Sequence, residues 1–101
     1  MAQARRLKIR FTTKAERQLA SIIVYISRDN PVAAKRVTRE ILRAAQLLAE
    51  FPEGGRPGSV PSTREWVVGG LPYILVYRFS AALQELSVVA VIHGARRRSN
   101  R

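Results

Sequence analysis

The chain has no cysteine and a single histidine, His93. Disulfide frameworks and thiolate metal sites are excluded, and no histidine cluster remains to hold zinc. Acidic residues are scarce too: 7 Asp and Glu stand against 18 Lys and Arg in 101 residues, a formal net charge of +11. So cationic a body favours an anionic partner, whether nucleic acid, an acidic protein or an anionic membrane, and opposes self-association. No run is apolar enough to span a bilayer. The longest uncharged stretch, Trp66 to Tyr77, falls short of the ~18 residues a span requires and is broken by Gly69, Gly70 and Pro72. Arg5-Arg6 is followed by Leu7-Lys8-Ile9-Arg10, where an export signal needs an apolar core. A soluble, cytoplasmic protein with no membrane partner is expected.

Hydrophobic residues make up 47% of the chain, which argues against disorder. At this length one core buries roughly two thirds of the unfolded surface, so a single domain is expected. It takes in residues 1–95, with 96–101 (Arg96-Arg97-Arg98-Ser99-Asn100-Arg101) as a basic tail. There is no internal repeat.

Leu7-Lys8-Ile9-Arg10-Phe11 alternates apolar and basic residues, the period of a strand with one buried face. Thr13 precedes Glu16 by three positions, the spacing of a capping box. From there Ala15, Leu19, Ile22, Ile23 and Ile26 recur at helical spacing, with Lys14, Arg17, Gln18 and Ser21 on the outer face. Asn30-Pro31 supplies an N-cap and a first helical residue for a second helix. Its inner stripe is Ala34, Val37, Ile41, Ala44, Ala45 and Leu48, while Lys35, Arg36, Arg39, Glu40 and Arg43 face outward until Phe51-Pro52 ends it. So short a connection makes the pair an antiparallel hairpin. Pro52 to Pro61 holds three Pro and three Gly and reads as a surface loop.

Three β-rich runs follow, around Arg64 to Val68, Tyr73 to Phe79 and Leu86 to His93, separated by turn residues. In the middle run Ile74, Val76 and Arg78 share one face and Tyr73, Leu75, Tyr77 and Phe79 the other. In the last run Leu86, Val88, Ala90 and Ile92 are expected on the core face, with Ser87, Val89, Val91 and His93 on the open one. The order β-α-α-β-β-β predicts an α+β fold, a mostly antiparallel four-stranded sheet with the helical hairpin on one face.

Chemistry-bearing side chains gather at the ends of these runs: Arg56, Arg64, Arg78, His93 and Arg96. Arginine clamps phosphate or carboxylate with a planar fork, and histidine titrates near neutrality. On so basic a chain, however, a lone arginine is by default a solvated charge, and His93 before Gly94 can simply hydrogen-bond a turn. Cleavage of RNA through its 2′-OH needs an acid, a base and cations at the phosphate. His93 fits one acid-base role, and Glu50, Glu53 or Glu65 the other. The pattern permits that chemistry without indicating it. No nucleophilic triad, phosphate-binding glycine motif or paired metal carboxylates are present.

Leu48-Ala49-Glu50-Phe51-Pro52 leading to Gly55-Arg56-Pro57-Gly58, then Thr63-Arg64-Glu65, Leu71 to Arg78, and Val91-Ile92-His93-Gly94-Ala95-Arg96 together resemble the RelE/ParE superfamily of bacterial type II toxins. The likeness covers nearly the whole chain. It implies a toxin neutralised by a cognate antitoxin, ParD-like or RelB-like, with no cofactor and no small-molecule ligand. RelE-like members cleave mRNA in the ribosomal A site, using basic residues on the sheet and often an aromatic or histidine near the C-terminus. ParE-like members poison DNA gyrase, serve in plasmid stabilisation and growth inhibition, and lack that set. The ending His93-Gly94-Ala95-Arg96, with no tyrosine after it, is more similar to the ParE branch. The resemblance makes Arg56, Arg64, Arg78, His93 and Arg96 target-facing, the catalytic set being His93, Arg64 and Arg56 only in a RelE-like enzyme. Tyr25 becomes the antitoxin contact. A non-toxic nucleic-acid-binding module is the remaining alternative.

Overall fold

The computed structural model describes residues 6–95, so Arg96 and the rest of the basic tail lie outside the described residues. The chain runs β1 (Lys8–Phe11), α1 (Thr13–Ser27), α2 (Pro31–Glu50), a 3-10 turn (Pro52–Gly54), β2 (Arg56–Pro57), β3 (Arg64–Val67), β4 (Tyr73–Ser80) and β5 (Glu85–His93). The five strands form one sheet in the order β1-β5-β4-β3-β2, antiparallel except that β1 lies parallel to β5. This is the expected α+β layer pair, with one more strand than the four read from the sequence. The extra strand comes from the Gly/Pro segment expected to be loop throughout: Arg56 and Pro57 pair with Glu65 and Arg64. A proline is tolerated there because β2 is a sheet edge with no ladder bond to donate outward.

The first helix starts one residue earlier than the capping-box spacing implies. Thr12 is the N-cap, its hydroxyl oxygen accepting from Ala15 N at 3.2 Å, and Glu16 falls one position too late to close a box. Thr12 takes this role because β5 already holds it: its N–H donates to Val88 O at 3.0 Å and its hydroxyl to Val89 O at 3.3 Å. The second helix begins as expected, Asn30 Oδ1 accepting from Ala33 N at 3.0 Å ahead of Pro31. Its buried stripe begins at Ala34, and Val37, Ile41, Ala44, Ala45, Leu48 and Ala49 pack with Ala15 of α1 over Leu75, Tyr77, Leu86, Val88 and Val91. Among the described residues no helix is long and apolar enough to cross a membrane.

The last strand departs from simple alternation. Val76 pairs with Ala90 but Tyr77 pairs with Val88, so Val89 is an extra residue, a β-bulge in β5. Before it Leu86 and Val88 face the helices, as expected. After it the parity inverts: Val91 joins the main core, while Ala90 sits with Ile74 and Val76 in a second cluster on the other face, against Val89 and Ile92. The assignment of Ala90 and Ile92 to the core face, and of Val91 to the open face, is thereby corrected.

Gln18 is a second correction. Expected outside, it is half-buried and its Oε1 accepts from Val91 N at 2.8 Å, just beyond the bulge. Gln18→Leu leaves that amide without its partner and is expected to cost about 1–3 kcal/mol in urea unfolding. Gln18→Glu keeps an acceptor at the same reach and is expected to lose less.

Candidate functional site

The Tyr77 side chain, fully buried in the middle of β4, fixes the segment that carries Arg56 and Arg64. Its hydroxyl donates to Pro52 O at 2.7 Å and accepts from Gly55 N at 2.9 Å. A Cβ on Gly55 would lie 2.6 Å from that hydroxyl and 2.8 Å from Glu65 O, so only glycine fits. Arg64, in register with Tyr77, closes the same turn: Nη1 donates to Gly55 O at 2.8 Å and to Glu53 O at 3.4 Å. Burial raises the Tyr77 phenol above its usual pKa, against smaller opposing effects of the Gly55 bond and the Arg64 charge.

Glu65 is buried, 4% exposed, on the sheet face away from the helices. Its Oε1 lies 3.7 Å from Arg56 Nη2 and its Oε2 accepts from Ser59 N at 3.4 Å. Arg56 therefore has one edge turned to a buried carboxylate and the rest of its side chain in solvent. Glu50 pairs with Arg6 at 2.7 Å.

The structure does not bring the predicted residues onto one surface. Arg78 alternates with Ile74 and Val76 and lies on the open face, as does Arg56 through its pairing with Glu65 and thence Val76. Arg64 follows Tyr77 and His93 follows Tyr73, both on the helix-covered side. Four residues of β4 part those two, about 13 Å along the strands. The His93 and Tyr73 rings meet edge to face at 5.5 Å, and His93 Nδ1 accepts from Ala95 N at 3.1 Å. That bond and the ring contact tie the imidazole to its own strand end and the residues that follow it. Its bond to the next turn is the local role already visible in the sequence. Tyr25 is 73% exposed near the end of α1, next to exposed Val24, and Val32 is exposed just across the turn. Among the described residues no group of three His, Cys, Asp or Glu is placed to hold a metal ion.

One member of the open face escaped the sequence reading. Arg10 pairs with Ser87, and Ser87 with Arg78, so two arginines rise on one face from a row that sets their Cα atoms about 10 Å apart. The signal was present in the alternation of β1, whose basic residues needed only the strand order to find a neighbour. Arg10 lies 3.9 Å from Glu85, whereas Arg78 makes no ion pair among the described residues.

Residues 9–98 match the family described as ParE toxin of type II toxin-antitoxin system, parDE. Toxin Y4kP of Sinorhizobium fredii is 46% identical over 84 residues, covering 83% of this chain and 88% of that protein. Toxin RelE2 of Caulobacter vibrioides is 36% identical over 86 residues, 85% of this chain and 93% of its own. In shape, a chain of the chromosomal ParDE TA system from P. aeruginosa superposes with a TM-score of 0.76 at 21% identity, over 88% of this chain and 97% of that one. A chain of the toxin-antitoxin complex RelBE2 from Mycobacterium tuberculosis gives 0.65 at 23% identity, over 92% and 97%. These two likenesses concern the fold.

Replacing Tyr77 by Phe strands Pro52 O and Gly55 N and is expected to cost about 1–3 kcal/mol near neutral pH. The phenol ionises later in the folded than in the unfolded chain. The stability it confers is therefore fully present below its unfolded pKa of about 10 and is lost as pH rises through the higher folded value. Urea titrations from neutral to strongly alkaline pH should show a loss in the wild type that Tyr77→Phe lacks.

Proposed function

Because the chain belongs to the family of ParE toxins of type II toxin-antitoxin systems, we propose that it inhibits DNA gyrase and is held inactive by a cognate antitoxin. The observation that carries the gyrase reading is the dispersal of the groups that nucleolytic chemistry needs. Base, acid and cations must converge within hydrogen-bond reach of one phosphate. Here His93 is engaged through Nδ1, Arg64 ties down the turn around Gly55, Glu65 is buried, Glu50 is paired with Arg6, and Arg78 lies on the opposite face from His93. Inhibition by binding asks only for a complementary surface. Arg56 and Arg78, with Arg10 at the far edge of the sheet from Arg56, form the target-facing set in this reading, supported by their shared exposed face.

The antitoxin contact is assigned to the tip of the helical hairpin. Tyr25, Val24 and Val32 expose apolar surface there that the chain itself leaves uncovered. An aromatic flanked by aliphatic side chains is the composition of a binding anchor. The apolar face of an amphipathic helix is the occupant it fits.

A second reading is favoured by the 36% identity to a toxin named RelE2: ribosome-dependent cleavage of mRNA. One preparation tests both. Purified protein is expected to block supercoiling of relaxed plasmid by gyrase and to leave ribosome-bound mRNA uncut. Cleavage of that mRNA, lost in His93→Gln, with supercoiling unaffected, would establish the alternative. Arg56→Ala with Arg78→Ala should weaken gyrase inhibition by roughly tenfold or more, a loss of about 1.4 kcal/mol or greater.

A further inference from the structure

We infer that the outer face of α2 binds the phosphate backbone of double-stranded DNA, independently of what the sheet recognises. Lys35, Arg36, Arg39 and Arg43 are all exposed along this face, opposite the buried stripe that begins at Ala34. Lys35, Arg39 and Arg43 follow one another at four-residue intervals, so their charges climb the helix about 6 Å at a time. Between Pro31 and Ala49 the sole acid is Glu40, and it lies 3.7 Å from Arg43. Lys35, Arg36 and Arg39 make no ion pair among the described residues. A depression of about 500 Å³ opens along the same row, lined by Lys35, Thr38, Arg39, Leu42, Arg43 and Gln46.

Charge and shape select the partner. A docked amphipathic peptide needs apolar anchors at helical spacing, but the row from Lys35 to Arg43 is charged and its one exposed apolar side chain is Leu42, on the flank. Single strands are held by base stacking, and this face has no aromatic residue. What remains is a rigid anion of high linear charge. Duplex DNA carries one negative charge per ≈1.7 Å of axis. The B-form major groove, about 12 Å wide, admits an α-helix, whereas the A-form groove of duplex RNA is too narrow.

The test uses the whole chain and a fluorescein-labelled 20-base-pair DNA duplex, read by anisotropy across a salt series. Lys35→Gln/Arg39→Gln/Arg43→Gln removes three phosphate contacts. It is expected to flatten the slope of log affinity against log salt by roughly 2.7, which is about a 40-fold difference between 50 and 200 mM salt. The single variant Arg39→Gln, expected to lower the slope by about 0.9, serves if the triple variant unfolds. A control with equal charge loss on α1 and its C-cap residue, Lys14→Gln/Arg17→Gln/Arg28→Gln, should lower it less. Equal losses in the two triple variants would reduce the effect to net charge and overturn the assignment. So would an unchanged slope accompanied by lost binding to poly-glutamate, which would make the face a dock for an acidic protein. Equal competition by duplex RNA would overturn the choice of DNA.

Discussion

One extra residue in β5 decides which side chains of this molecule can act together. The bulge at Val89 puts Val89 and Ala90 on the same side of the sheet, so every residue after it faces opposite to the side that strict alternation assigns. It also answers to the helix layer. Thr12 takes bonds to Val88 O and Val89 O at the bulge, and Gln18, six residues along α1, receives the Val91 amide. Helix α1 is thus pinned to the irregular part of the strand, where regular pairing with β4 is interrupted. Val91 lies beyond the last β1 partner, Phe11 opposite Val88, so its amide has no strand on that side; an unpaired buried amide is costly, and Gln18 from the covering helix supplies the acceptor.

The consequence reaches the site. With the bulge in place His93 ends on the helix-covered side beside Tyr73, while Arg78 points to the open face. Without it, His93 would join Arg78. The second constraint acts on the other edge, where Tyr77 reaches through the core to hold Pro52 and Gly55 and so docks the chain that supplies β2, Arg56 and the bonds of Arg64. Arg64 and Glu65 are thereby recruited into holding the structure together, which leaves fewer of the conspicuous polar residues available for chemistry than their number suggests.

Much of this was legible in the sequence because it rests on local rules. Period 3.6 found both helices and the inner stripe of α2, Asn30-Pro31 found its start, and β-branched runs between turn residues found β3, β4 and β5. The faces of β4 followed from parity because β4 is itself unbroken. Parity failed in β5 because Val88-Val89-Ala90-Val91 is apolar on both sides, so nothing in the residue types marks where the extra one sits. Gln18 was read as solvated for a similar reason: a lone polar residue on a helix shows its partner only once the neighbouring strand is placed. Strand β2 was missed because two residues, one a proline, carry no periodic signal. The row from Arg10 to Arg78 needed the parallel pairing of β1 with β5, a contact between the two ends of the chain that local pattern does not encode.

The chain carries a formal net charge of +11. Among the described residues, burial of the apolar stripes leaves rows of cations on the open sheet face and on the outer side of α2, apart from Lys14 and Arg17 on α1, and leaves uncovered apolar surface at the hairpin tip, around Tyr25 and Val32. The sheet and the helix layer face opposite ways, so the first two surfaces do not compete for space. A partner that covers the hairpin tip by apolar contact need not cover either of them. In the proposed reading, neutralisation by such a partner does not follow from contact with the hairpin tip alone. It requires either that the partner extend over the sheet's arginines or that it screen their field, and only the second is sensitive to salt at distances beyond the Debye length of about 8 Å. In the proposed reading the anchor and the charges to be silenced stand on different elements of the fold, so neutralisation by screening, unlike neutralisation by covering the sheet, weakens as ionic strength rises.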